Sequence, residues 1–201
     1  KLNNKFSIAY TNLAKLHFFA SDYKKSLKYL SEALEIDSEY LDSMVLLKEL
    51  LCVNIRFDSQ DDMLYSPIIN LITKYNLVQP TYISRSVISF LKAGNDFKEL
   101  LKIDLKNIDK NNLLKILEKL KKNHLLIEFM KICPLPDLEL ENIFKKMRSE
   151  ILFFSFNNDQ YERTKEFIEA LAEQCFLNEY IYNEDKNEKL DHKVDPVAGK
   201  K

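Results

Sequence analysis

Apolar side chains recur at helical spacing along most of the chain. Residues such as Leu113, Ile116 and Leu117 follow one another at intervals that place them on one helix face. No segment alternates convincingly between apolar and polar positions, so the pattern predicts an all-α fold. We predict ten helices, one ending near Ala20 and the others at about 27–36, 40–55, 62–76, 80–94, 96–103, 110–121, 125–132, 137–154 and 160–182.

Polar residues and prolines mark several of these helix boundaries. Asp109 and Asp137 stand where a side-chain oxygen would accept a hydrogen bond from the first helical turn. Asp61 and Asp62 could form a carboxylate pair, but we favour helix capping for them too. Pro67 follows inside the next predicted helix, where it either occupies the first turn or kinks the helix.

The scarcity of glycine excludes several classes of enzyme chemistry. A phosphate-binding loop, a dinucleotide-binding turn and a nucleophile elbow each need glycines close together. Gly94 and Gly199 are the only two glycines among 201 residues and lie far apart. We therefore expect no catalytic residues and no cofactor in this chain.

The charged residues do not point to a nucleic-acid partner. The 30 basic and 31 acidic residues nearly cancel, whereas nucleic-acid-binding domains usually carry a basic excess. Residues 98–131 are locally rich in lysine, which indicates either a basic patch or a solvated helix face. We favour the solvated face, because Lys115, Lys119 and Lys122 fall opposite the apolar stripe.

Cysteine and histidine positions predict neither a metal site nor a disulfide framework. Cys52, Cys133 and Cys175 are widely separated, as are the three histidines, and we expect the cysteines to be buried apolar residues. This cysteine usage suits a reducing cytoplasm. No apolar run reaches the length of a membrane span, so we expect a cytoplasmic protein without a membrane partner.

Three short stretches near the start carry a resemblance to a known family. Leu13-Ala14 stands where that family has a Leu-Gly pair, Ser21-Asp22-Tyr23 is similar to its Gly-Asp-Tyr turn, and Ala33-Leu34-Glu35-Ile36-Asp37 is similar to its exit. Residues 7–40 thus resemble one tetratricopeptide repeat (TPR). The resemblance implies a helical hairpin in which small residues at Ala14, Ser26 and Ala33 let the two helices approach closely.

The same resemblance implies a binding surface on the first helix. Repeats of this family present residues of their first helix on a concave face, and the corresponding positions are Ile8, Thr11, Lys15, Phe18 and Phe19. We expect Thr11, Lys15, Phe18 and Phe19 to contact a protein or peptide. The alternative is that this face packs on a further repeat preceding Lys1.

A second resemblance covers residues 124–183. The stretches Asp137–Glu141, Met147-Arg148 and Phe167–Tyr180 are similar to a helical region of bacterial proteins that join TPRs to an S-adenosylmethionine-dependent methyltransferase-like domain. The resemblance implies that a catalytic domain follows such a region. A densely apolar segment at 175–182 is then either a central core helix or a docking site for that downstream domain, with Phe176, Asn178, Glu179 and Tyr180 in the contact.

These observations divide the chain into three predicted parts. Residues 1–56 form a TPR-like repeat with a packing helix, 57–183 form a helical domain, and 184–201 form a flexible polar tail or linker. The absence of an initiator Met suggests a fragment of a longer chain. We predict a non-catalytic protein-interaction or scaffold module; alternatives are the helical part of a methyltransferase-like protein and a homo-oligomer formed through the last helix.

Overall fold

The computed structural model describes residues 4–74, 77–103 and 108–177, and this part of the chain is all-α. It contains no strand, which confirms the predicted fold class. The helices are α1 (Asn4–Phe19), α2 (Tyr23–Ile36), α3 (Leu41–Cys52), α4 (Asp62–Thr73), α5 (Pro80–Ala93), α6 (Asn95–Leu100), α7 (Lys110–Lys121), α8 (His124–Ile132), α9 (Leu138–Phe154) and α10 (Asn158–Leu177).

Short polar side chains begin five of these helices. Asp22, Asp61, Asp109, Asn123 and Asp137 each accept a hydrogen bond from a backbone N–H in the first turn that follows. Such caps satisfy amides that have no partner within the helix. The predicted capping roles of Asp61, Asp109 and Asp137 are therefore confirmed.

Two predicted details of the helix ends differ from the structure. Helix α3 ends at Cys52, three residues earlier than predicted, and Asn54 follows with a φ of 57°. That left-handed conformation suits asparagine and cannot continue a helix. Pro67 is the sixth residue of α4 and is buried, so of its two predicted roles the one in the first turn is wrong.

Helix α8 lies at the centre of the fold. Its buried side chains are Leu125, Leu126, Ile127, Phe129 and Met130, which cover most of the helix circumference. A helix that is apolar all round must be covered all round, and α4, α5, α7 and α10 contact it. The sequence pattern does not identify α8 as the central helix and instead offers the segment at 175–182 as one candidate for that position.

One continuous hydrophobic core joins the two predicted domains. The cluster of buried residues runs from Ala14 in α1 to Leu171 in α10 without a break at residues 56 and 57. Helices α2 and α3 contact α4, and α3 contacts α5. No gap in packing therefore marks that boundary among the described residues, and the predicted tail lies outside them.

Candidate functional site

Small side chains hold α1 and α2 close together. Ala14, Ser26 and Ala33 are fully buried between the helices. The Ser26 hydroxyl donates to the Ala14 carbonyl oxygen over 2.8 Å, and the Ser7 hydroxyl donates to the Ala33 carbonyl oxygen over 3.1 Å. These bonds require each serine to lie against the partner helix's backbone, so the predicted close approach is confirmed.

Two of the predicted binding residues connect α1 to α3. Thr11 is only 1% exposed, and its hydroxyl is hydrogen-bonded to that of Ser43 over 2.7 Å. The Lys15 ammonium lies 2.8 Å from the Asp42 carboxylate and remains partly exposed. Thr11 is thus a packing residue here, whereas Lys15 is at the surface.

The two predicted phenylalanines have different surroundings. Phe18 is half-buried against the core, and its ring centroid lies 5.8 Å from that of Tyr23. Phe19, the last residue of α1, is 80% exposed. The structure therefore places only Phe19 of this pair fully at the surface.

A further set of apolar side chains shares the exposed side of α1. Phe6 is 59% exposed, Ile8 44% and Leu16 66%, and together with Phe19 they form what we call the α1 outer face. At roughly 100° of rotation per residue, these four positions span about 160° of the helix circumference. Ala9 and Asn12 lie between them and are also exposed.

Sequence reasoning missed Phe6 and Leu16 as surface residues. Leu16 belongs to the apolar pattern that predicted the helix, and an apolar pattern alone does not distinguish a buried face from an exposed one. The sequence does contain a sign of this exposure, because α1 carries large apolar residues on two opposite sides. Only one of these sides is needed for packing on α2 and α3, so the other is left for solvent or a partner.

His17 is a packing residue at the surface edge. Its ring stacks on Tyr29 with 5.3 Å between centroids, and its Nδ1 lies 3.7 Å from a carboxylate oxygen of Asp22. These contacts make His17 a packing residue at the edge of the α1–α2 hairpin. Among the described residues, no contact places a nucleophilic side chain beside the His17 ring.

The last helix carries part of the predicted inter-domain contact. Phe176 is 68% exposed, whereas Cys175 is buried. Asn178, Glu179 and Tyr180 lie outside the described residues. The docking of this segment onto a downstream domain stays a prediction.

The three cysteines are free thiols that differ in burial. Cys133 and Cys175 are buried, and Cys52 is half-buried. Burial raises the pKa of Cys133 to about 11 and also raises the pKa of Cys52. Within the described ranges, no three His, Cys, Asp or Glu side chains are grouped so that they could hold a metal ion.

The lysine-rich stretch forms a solvated, ion-paired surface. Lys115, Lys119 and Lys122 are exposed, as predicted. The Lys119 ammonium contacts Glu99 over 2.5 Å and Asp96 over 3.1 Å, and hydrogen bonds to these carboxylates raise the Lys119 pKa. Two carboxylates of α6 thus neutralise the charge of Lys119.

None of the helices in the described ranges is both long enough and apolar enough to cross a membrane. Comparison of the chain with protein-family models, curated proteins and solved structures finds no match.

Proposed function

We propose that the chain is a non-catalytic protein-interaction module whose α1 outer face binds an amphipathic helix of another protein. The observation that supports this is the exposure of Phe6, Ile8, Leu16 and Phe19 along one side of a helix whose other side is packed. A contiguous exposed apolar patch marks an interaction surface more often than scattered apolar residues do.

The shape of the face favours a helix as the occupant. Ile8 and Leu16 are eight residues apart, and Asn12 lies between them on the same ridge. Rows of side chains spaced by four residues are the ridges that pack into the grooves of a second helix. Ala9, which is also exposed, has a small side chain beside this ridge, and we expect a large side chain of the partner to pack over it.

The size of the face favours a peptide-sized helix over a stable homodimer. Helix α1 has 16 residues, which corresponds to a length of about 24 Å. With a helix diameter of about 10 Å, one face covers about 240 Å², well below the ~800 Å² per partner of a stable interface. We expect a weak complex in which the two helices pack side by side, with a dissociation constant on the order of micromolar.

A pair of matched double variants tests this proposal. Amphipathic helical peptides are selected from a random library against the wild-type chain, and their affinities are measured by fluorescence anisotropy. Leu16→Ser with Phe19→Ser is expected to weaken binding by at least about tenfold, since both substitutions remove apolar contact area. Both side chains are largely exposed, so the fold should be unaffected.

The control removes an equally exposed apolar pair elsewhere. Leu152 and Phe153 in α9 are 53% and 74% exposed. Leu152→Ser with Phe153→Ser should leave affinity for the selected peptides within about twofold of wild type. Equal losses in both double variants, or self-association of the wild type through α1 in sedimentation experiments, would contradict the proposal.

A further inference from the structure

A groove runs along one side of α5, away from the α1 outer face. Tyr82, Arg85, Ser89 and Lys92 follow one another along α5 at intervals of three and four residues and line it. The segment 54–58 after α3 forms the opposite wall. The groove consists of two adjoining cavities of about 550 Å³ and 540 Å³, which share Asn54 and Arg85. We call it the α5 groove.

The walls of the α5 groove are fixed before any ligand binds. The Phe57 N–H donates to the Ser89 Oγ over 2.9 Å, and the Phe57 ring packs edge-on against Phe90 with 5.1 Å between centroids. Ile55, on the same segment, is buried. These contacts hold the segment against α5, so a ligand would not have to order it.

The charges in the α5 groove divide into paired and unpaired groups. The Lys92 ammonium lies 2.7 Å from Asp137 and 2.8 Å from Glu139, and the Asp58 carboxylate lies 2.7 Å from the ammonium of Lys24. The remaining cations are Arg56, Arg85 and Lys98, and none of the three has an ion-pair partner among the described residues.

Three different elements supply these unpaired cations. Arg56 comes from the segment after α3, Arg85 from α5 and Lys98 from α6, and all three are exposed. Charges of one sign lining a cleft raise the local concentration of ligands of the opposite sign. Arg56 and Lys98 line the first cavity, whereas Arg85 lines both, so separate elements supply positive charge to one continuous groove.

Polar and apolar groups complete the lining. Ser89 accepts the Phe57 N–H, so its own hydroxyl hydrogen remains available to a ligand. The half-buried Phe57 supplies apolar lining in the first cavity, and the exposed Tyr82 supplies it in the second. A ligand that fits carries several negative charges together with apolar groups.

We propose that the α5 groove binds an extended acidic peptide segment that alternates carboxylate and apolar side chains. Arginine guanidinium groups bind carboxylates through paired N–H donors, and the two adjoining cavities along α5 provide room for a peptide strand. The site is independent of the α1 outer face, since it lies on different helices.

The test uses a defined probe, a fluorescein-labelled eight-residue peptide of alternating glutamate and leucine. Fluorescence anisotropy should detect saturable binding to the wild-type chain, weakening as salt is added. Arg56→Gln with Arg85→Gln should weaken it by at least about tenfold, because two charge-assisted contacts are lost. The matched peptide with glutamine in place of glutamate should not bind.

The control variant makes the same change in net charge at a distance from the groove. Lys115→Gln with Lys146→Gln alters two exposed lysines and should change affinity by less than about twofold. Equal losses in both double variants would overturn the proposal, because binding would then depend only on overall charge.

Inorganic pyrophosphate and a single-stranded DNA octamer serve as competitors. Tighter binding of either one than of the peptide, lost in the arginine variant, would also overturn the assignment to a peptide.

Discussion

At the scale of single residues, Gln174 makes the most consequential polar contacts of the described core. Its side chain is fully buried in α10. The amide nitrogen donates to the carbonyl oxygens of Met130 and Cys133 over 2.5 and 2.6 Å, and the amide oxygen accepts the Leu135 N–H over 3.2 Å. Gln174 thereby supplies hydrogen-bond partners to backbone groups at the end of α8 and in the loop that follows. Pro134 and Pro136 in this loop lack the backbone N–H that could otherwise donate to these carbonyl oxygens.

Replacing this amide should destabilise the fold strongly. Gln174→Ala leaves three buried backbone groups without their partner, and we expect a loss of about 2–5 kcal/mol in the free energy of unfolding. Urea denaturation followed by circular dichroism measures it. Glu173→Ala, at the exposed neighbouring position, is the control and should change stability by less than about 0.5 kcal/mol. A Gln174→Ala variant as stable as the control would show that these bonds contribute little.

The thiol groups should react in the order of their exposure and ionisation. With a pKa of about 11, the Cys133 thiol is ionised in about one molecule in a thousand at about pH 8, and it is also buried. Cys52 is half-buried. Timed alkylation of the folded protein, read by mass spectrometry, should modify Cys52 first and Cys133 only after unfolding. Early modification of Cys133 would contradict its burial beneath α10.

At the scale of helices, the α1–α2 hairpin depends on the small size of Ser26. The Ser26 side chain fills the space between the helices and bonds to the backbone of α1. Ser26→Ala keeps the size and loses one hydrogen bond, which should cost about 1 kcal/mol. Ser26→Leu would force the helices apart and should cost about 1–3 kcal/mol more.

Thermal unfolding of both variants measures this difference. Lys28→Leu places the same side chain at an exposed position of α2 and controls for the effect of leucine on the helix itself. Equal stability of Ser26→Leu and Ser26→Ala would show that the hairpin tolerates a wider separation, and that close packing is not what positions α1.

The positions of the helices could be predicted because their signals are local. Asp109 and Asp137 begin helices through bonds to residues three positions later, and apolar spacing identifies a helix without knowledge of its neighbours. The environments of Thr11, Leu16 and Gln174 could not be predicted, because each depends on a helix distant in sequence. Gln174 in particular is polar, and only its contacts with α8 and the following loop explain its burial.

At the scale of the whole molecule, the continuous core implies cooperative unfolding. Buried residues connect α1 through α3 and α8 to α10, so the predicted units 1–56 and 57–183 share packing over their described residues. Hydrogen exchange in increasing urea should reveal one common free energy of opening for amides in α3 and α8. Leu34→Ala in α2 should lower that value for both helices, because Leu34 belongs to the shared core. Lower values in α3 alone would indicate two independent units.

Hydrogen exchange shows directly whether α1 binds a helix of another protein. Exchange is compared between the free chain and its complex with a selected amphipathic helical peptide. Binding to the α1 outer face should add protection at residues 6–19 and leave α9 and the walls of the α5 groove unchanged. Protection concentrated in α9 or α10, with none in α1, would show that α1 is not the binding surface.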